Sequence, residues 1–245
     1  MLCVLATAGS ADVVRAGALS SPTTIPRPVM EYADLLEQVN HSTSPAAIEP
    51  LYTLGMHAAE SLLRANGAPA SPLELMNDST LAEVQRRMEG FTILHEEEFT
   101  IASCRPAFFL ALAQSHGGGA DIAFFRALTA TRDSSDRPIY VQQQTDEAGC
   151  TRFGSGILIT AYNVWNSFVS AHPDRYADWV RDEMDQLAEE LTGSTCACED
   201  RESVLRELRL FLRRFPGSAL APRVRARLQE VQAGTAGMRY QCVAG

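Results

Sequence analysis

The chain has 245 residues, 46% of them apolar and 21% charged, with a formal net charge of −9. This much apolar mass can build a core, so the composition is not that of a disordered chain. The acid excess argues against a nucleic-acid partner, because phosphate neutralisation needs surplus positive charge, and without an apolar run of about 18 residues no membrane span is expected.

All 21 basic residues are arginine. A chain without lysine has no Schiff-base lysine, no lysine-bound pyridoxal phosphate and no P-loop lysine. Kinase and P-loop ATPase chemistry of the usual kind is thereby excluded, and no cofactor is expected.

The first residues, Met1 to Ala11, read like the back half of a secretory signal, with a short apolar stretch leading into Ala6-Thr7-Ala8 and Gly9-Ser10-Ala11. The prolines Pro22, Pro26 and Pro28 extend this into a flexible lead-in. Residues 1–28 are therefore read as signal remnant and lead-in, and 29–245 as a single helical domain.

Val29, Tyr32, Leu35, Leu36 and Val39 recur at three- and four-residue spacing and predict an amphipathic helix. Ser44-Pro45 marks a second helix start, running to Asn66-Gly67, with Pro50 either kinking it or marking its beginning. Ser71-Pro-Leu-Glu74 and Thr80-Leu-Ala-Glu83 have the form of capping boxes, the second launching a short helix that ends at Gly90. Then the period changes. Phe91-Thr-Ile-Leu94 and Phe99-Thr-Ile-Ala102 flank a polar turn and predict a hairpin. The stretches 139–142 and 238–241 are also strand-like.

Two apolar helices follow, one after Arg105-Pro106 and one after Gly117-Gly118-Gly119, where Asp121 is read as a cap. They should form a hairpin in the core. Asp133 to Gly156 reads as a surface loop, Ile157 to Val169 as a helix with Trp165 and Phe168, and Pro173 as the start of another. The expected fold is mainly α, an irregular helical array with a small accessory β-sheet.

The charge pattern is polarised in the last third. Residues 174–200 hold nine acids and two arginines, whereas 201–230 hold eight arginines and three glutamates. One reading is an internal ion-pair seam between the two segments, with little gained from exposed pairs. The other is a basic ridge, carried by Arg206, Arg209, Arg213, Arg214, Arg223 and Arg227, offered to an acidic protein partner.

Residues Val204 to Val231 resemble a tetratricopeptide-type helix pair. The features that carry the resemblance are the break Phe215-Pro216-Gly217-Ser218, the following Ala219-Leu-Ala-Pro222, and the apolar face Val224, Leu228 and Val231. The segment is close to the length of one such repeat of about 34 residues. The resemblance implies a helical hairpin suited to protein binding, of the kind found in periplasmic assembly proteins.

The cysteines lie beside breaks, which suits disulfides in an oxidising compartment. Cys104, Cys150, Cys196, Cys198 and Cys242 are the disulfide candidates. Cys104 is expected to pair with Cys150, and one of Cys196 or Cys198 with Cys242. A zinc site at Cys196-Ala-Cys198 would need two further ligands, so no metal is expected.

No catalytic motif is present. His57 and Glu60 lie one turn apart, but a di-iron bundle needs several more ligands. His95 before three glutamates matches no metal signature, His116 suits a helix C-terminus, and His172 falls in a turn. Gly154-Ser155-Gly156 lacks the spacing of a nucleophile elbow. The favoured function is an exported, periplasmic or secreted, protein-binding module, a bacterial adaptor or toxin-neutralising partner. The alternative is a cell-envelope hydrolase with a histidine or carboxylate site.

Overall fold

The computed structural model describes residues 24–42, 48–64, 70–95, 100–133, 137–143 and 149–242. The signal-like start, Cys3, Ser44-Pro45, Asn66-Gly67 and the turn residues 96–98 lie outside them. The described chain is mainly helical, with two small two-stranded sheets. It divides into two compact units, the first ending at Thr129 and the second comprising Ala130–Asp133 with the residues from Arg137 onward.

In the first unit, α1 (Arg27–His41) buries Val29, Tyr32, Leu36 and Val39, while the predicted Leu35 is only half-buried. It packs on α2 (Ile48–Leu63). Pro50 falls in the first described turn of α2, where a missing N–H costs nothing. Gly55 of α2 permits the closest approach, since a Cβ there would meet the Phe91 and Tyr32 rings at 2.6–2.7 Å.

Of the two expected capping boxes the first forms and the second needs correction. Ser71 and Glu74 do make the reciprocal bonds, Ser71 N–H to Glu74 Oε2 at 2.6 Å and Glu74 N–H to Ser71 Oγ at 3.3 Å, yet they enclose a single turn. The helix α3 (Asp78–Arg87) is capped by Asn77, whose side chain accepts from Thr80 N–H at 2.9 Å. Asn77 is the better cap because its short carbonyl reaches the third helical amide without a β-branched Cβ. Thr80 thus lies inside the helix.

The predicted hairpin forms. β1 (Phe91–His95) pairs antiparallel with β2 (Thr100–Cys104) in the register Phe91↔Cys104 to His95↔Thr100. α4 (Pro106–His116) and α5 (Gly119–Thr131) bring Phe109, Phe124 and Phe125 around Tyr52, with ring centroids 5.2–5.7 Å apart. Asp121 closes the start of α5 by accepting from Gly118 N–H at 2.7 Å.

In the second unit, β3 (Val141–Gln143) pairs antiparallel with β4 (Gly149–Thr151), so the stretch read as a surface loop contains a strand. Its buried residues Cys150, Thr151 and Phe153 explain the difference, since a solvated loop would not bury them. The segment around Ala197 lies parallel to β4 through the bridge Thr151↔Ala197, and Arg239 lies parallel to that segment through Cys196↔Arg239. Of the strand-like stretch 238–241, Arg239 alone forms a bridge.

The helices of this unit are α6 (Ile157–Ala171), α7 (Ala177–Gly193), α8 (Arg201–Arg214) and α9 (Ala221–Ala233). α7 does not start at Pro173. Pro173 and Asp174 make a turn, and Tyr176 adopts a left-handed φ of 53° with its ring fully buried near Phe168, which breaks the helical path until Ala177. Tyr162 of α6 packs on Phe211 and Phe215 at 4.9 and 4.7 Å, locking α6 to the α8–α9 pair.

Candidate interaction surface and its buried support

α8 is amphipathic. Val204, Leu205, Leu208 and Phe211 are buried, while Arg206, Arg209, Arg213 and Arg214 are exposed. The spacing of 206, 209 and 213 places three guanidinium groups along one face, with Arg214 at its flank. Arg206 donates to Ser203 Oγ at 2.8 Å, and Arg209, Arg213 and Arg214 make no ion pair among the described residues.

The six-arginine ridge expected from the sequence is therefore not one surface. Arg223 turns toward α7, donating to Thr192 Oγ1 at 2.8 Å and lying 3.9 Å from Glu189. Arg227 is 7% exposed and donates to the carbonyls of Ser194 at 2.5 Å and Ala236 at 2.8 Å, so it cannot meet a partner. Its position explains this: Arg227 stands in the Val224–Val231 stripe that faces the unit's interior. The ion-pair seam also shrinks to one exposed contact between the two segments, Arg223 with Glu189. Arg201 acts instead on the end of α9, donating to the carbonyls of Val231 and Gln232 that the helix leaves open.

Two disulfides join this unit, Cys150–Cys198 and Cys196–Cys242, with Cα separations of 5.1 and 6.2 Å. The Cys196–Cys242 pairing agrees with one of the expected alternatives. The Cys104–Cys150 pairing does not form. Cys104 closes β2 in the first unit, buried, with its sulfur 3.8 Å from the Tyr52 hydroxyl, whereas Cys150 is carried beside Cys198 by the bridge between Thr151 and Ala197. Both members of Cys196-Ala-Cys198 enter disulfides, because the chain segments on either side of this one each supply a cysteine.

The second unit also encloses a buried polar cluster that the sequence reading missed. Arg132, with 2% of its side chain exposed, pairs with Glu183, and its Nε donates to Glu183 Oε1 at 3.1 Å. Burial and the Glu183 carboxylate raise the Tyr140 phenol far above its ordinary pKa. Glu190 accepts from the Thr151 hydroxyl, which lies 2.6 Å from Ser194 Oγ. Burial raises the Glu190 pKa above 4.5, and the Thr151 bond offsets this only in part.

A raised carboxyl means the folded state holds its proton more tightly than the unfolded state does. The stability from Glu190 is therefore fully present below pH 4.5 and is lost as pH rises through the folded value. Glu190→Gln is expected to match the wild type at pH 4 and to unfold at higher urea at pH 8. Equal urea midpoints at both pH values would contradict this account.

Glu207 is fully buried and its Oε2 accepts from Gly154 and Gly156 N–H, both at 2.9 Å. Gly154 and Gly156 have φ of 82° and 78°, a geometry that turns successive amides inward. The start of α6 is thus an anion site filled by the chain's own carboxylate, and Glu199 takes the neighbouring Phe153 N–H at 2.7 Å.

The histidines do not converge. His57 is exposed on the outer face of α2, in an open groove of about 540 Å³ shared with Glu49 and Thr53, while Glu60 pairs with Arg64. His95 ends β1, and His116 ends α4. Among the described residues no three His, Cys, Asp or Glu side chains are placed to hold a metal ion. No described helix is long and apolar enough to cross a membrane. Comparison with known proteins finds no matching family model, no matching curated protein and no matching solved structure.

Proposed function

We propose that the protein is an exported protein-binding module, of the adaptor or toxin-neutralising type, whose α8 face engages an acidic partner. The observation that carries this reading is the row of Arg206, Arg209, Arg213 and Arg214, exposed on a helix whose opposite face is fully committed to the core. In a chain of net charge −9, an arginine row of which Arg209, Arg213 and Arg214 make no ion pair among the described residues is a local field of opposite sign, which steers acidic surfaces toward it. The helical hairpin α8–α9 supplies the rigid platform, in keeping with the tetratricopeptide resemblance of residues 204–231. Two disulfides accord with a periplasmic or secreted setting, because such bonds persist in oxidising compartments.

The test uses labelled poly-L-glutamate as an acidic probe, read by fluorescence anisotropy at low salt. Arg213→Glu/Arg214→Glu is expected to weaken binding by more than about tenfold and to change stability by less than about 0.5 kcal/mol. Arg126→Glu/Arg181→Glu makes the same change of net charge at other exposed positions and should retain binding. Equal losses in both variants would assign the effect to net charge and remove the α8 face from the proposal.

A further inference from the structure

The segment Thr235–Cys242 follows the end of α9 and contributes no buried side chain. Its hold on the second unit is almost entirely backbone. Arg239 N–H donates to Thr195 O and Gln241 N–H to Glu199 O, while Ala197 N–H donates to Arg239 O and Cys242 N–H to Ala197 O, all at 2.9–3.0 Å. The Arg227 guanidinium adds one bond to Ala236 O, and the disulfide Cys196–Cys242 adds the covalent link.

The second disulfide stands in a different setting. Cys150, Thr151 and Ala197 are all 3% exposed or less. Thr151 N–H to Cys196 O and Cys198 N–H to Thr151 O hold the two strands together at 2.9 and 3.0 Å. Thr151 is also pinned through its side chain to Glu190 and Ser194. Two thiols formed at Cys150 and Cys198 would stay side by side and close again. Thiols formed at Cys196 and Cys242 would be held together only by a backbone ladder to which the Thr235–Cys242 side contributes no buried side chain.

We infer that Cys196–Cys242 is a reducible latch: its reduction releases Thr235–Cys242 from the Thr195–Glu199 edge while Cys150–Cys198 keeps the unit closed. The inference is independent of the proposed binding function. The reductant is a dithiol. One thiolate attacks the sulfur of Cys242, the less buried of the two residues, and the Cys196 thiolate leaves and takes a proton. The second thiol of the reagent then attacks the mixed disulfide, displacing Cys242 as thiolate and leaving the reagent as a cyclic disulfide. Two electrons pass from the dithiol to the cystine. Release frees the N–H and O of Ala197 and the carbonyls of Thr195 and Glu199, which together form an open parallel strand edge.

The experiment titrates the oxidised full chain with dithiothreitol, traps thiols with N-ethylmaleimide and maps the peptides. A range of reductant is expected in which Cys196 and Cys242 are labelled while Cys150–Cys198 is intact and the far-ultraviolet circular dichroism is unchanged. In that state, amide exchange followed by nuclear magnetic resonance should speed up by about tenfold or more at Ala197 and stay slow at Cys198. Tryptic cleavage after Arg239 should accelerate by a similar factor. Cys242→Ser should show the same exchange pattern without reductant, and if that variant does not fold, the titration of the wild-type chain decides alone. Simultaneous opening of both disulfides, or an Ala197 amide still protected once Cys196 and Cys242 are labelled, overturns the latch.

Discussion

Replacing Arg132 with methionine is expected to cost about 3–5 kcal/mol of unfolding free energy, because it strands the Glu183 carboxylate without its cation in a buried site. The Glu183 side chain is 10% exposed, and the guanidinium that neutralises it is 2% exposed, so water cannot replace the lost partner. Glu183→Leu together with Arg132→Met removes both charges and both desolvation costs. That double variant is expected to recover most of the loss and to lie within about 1 kcal/mol of the wild type. Urea unfolding at pH 7 measures all three proteins. A double variant no more stable than Arg132→Met would show that the arginine acts by packing, not by pairing.

Removal of the Cys150–Cys198 cross-link by Cys150→Ala/Cys198→Ala is expected to lower stability by about 4 kcal/mol, the chain-entropy value for a loop closed over this separation. The two cysteines stand 48 residues apart in sequence, and the closed loop contains all of α6 and α7. Against a typical total of about 5–15 kcal/mol this is a large share. Cys104→Ala serves as the comparison, since it trims one buried thiol that lies outside both disulfides and should cost about 1–2 kcal/mol. If the two variants had the same midpoint, the cross-link would contribute nothing beyond its packing.

The helices of this protein were legible because their stripes are local. Val29, Tyr32, Leu36 and Val39 mark α1 without reference to any other segment. The near-copied Phe-Thr-Ile stretches mark the hairpin in the same way. The buried charges also left a trace that the sequence reading did not use. Glu183 stands in the stripe of Val180, Leu187 and Leu191, Glu207 in that of Val204, Leu208 and Phe211, and Arg227 in that of Val224 and Val231. A charged residue on an apolar stripe must be paired or hydrogen-bonded when the stripe is buried. Summing charge over whole segments concealed this, because it gave Arg213 and Arg227 equal weight although one is solvated and the other is enclosed.

Composition and periodicity by themselves determined the mainly helical class, the hairpin, the missing lysine chemistry and the existence of an arginine-rich helix pair. All of these follow from identities and spacings within a few turns of chain. Tertiary structure alone decided which cysteines meet, which arginines reach solvent and which carboxylate fills the start of α6. Each of these depends on segments some 30–50 residues apart being carried together. Cys150 meets Cys198 because a strand seats Thr151 beside Ala197, and Glu207 meets Gly154 because α6 and α8 pack through Tyr162 and Phe211. Side-chain chemistry is encoded locally, but its use is set by a distant neighbour that no short-range pattern specifies.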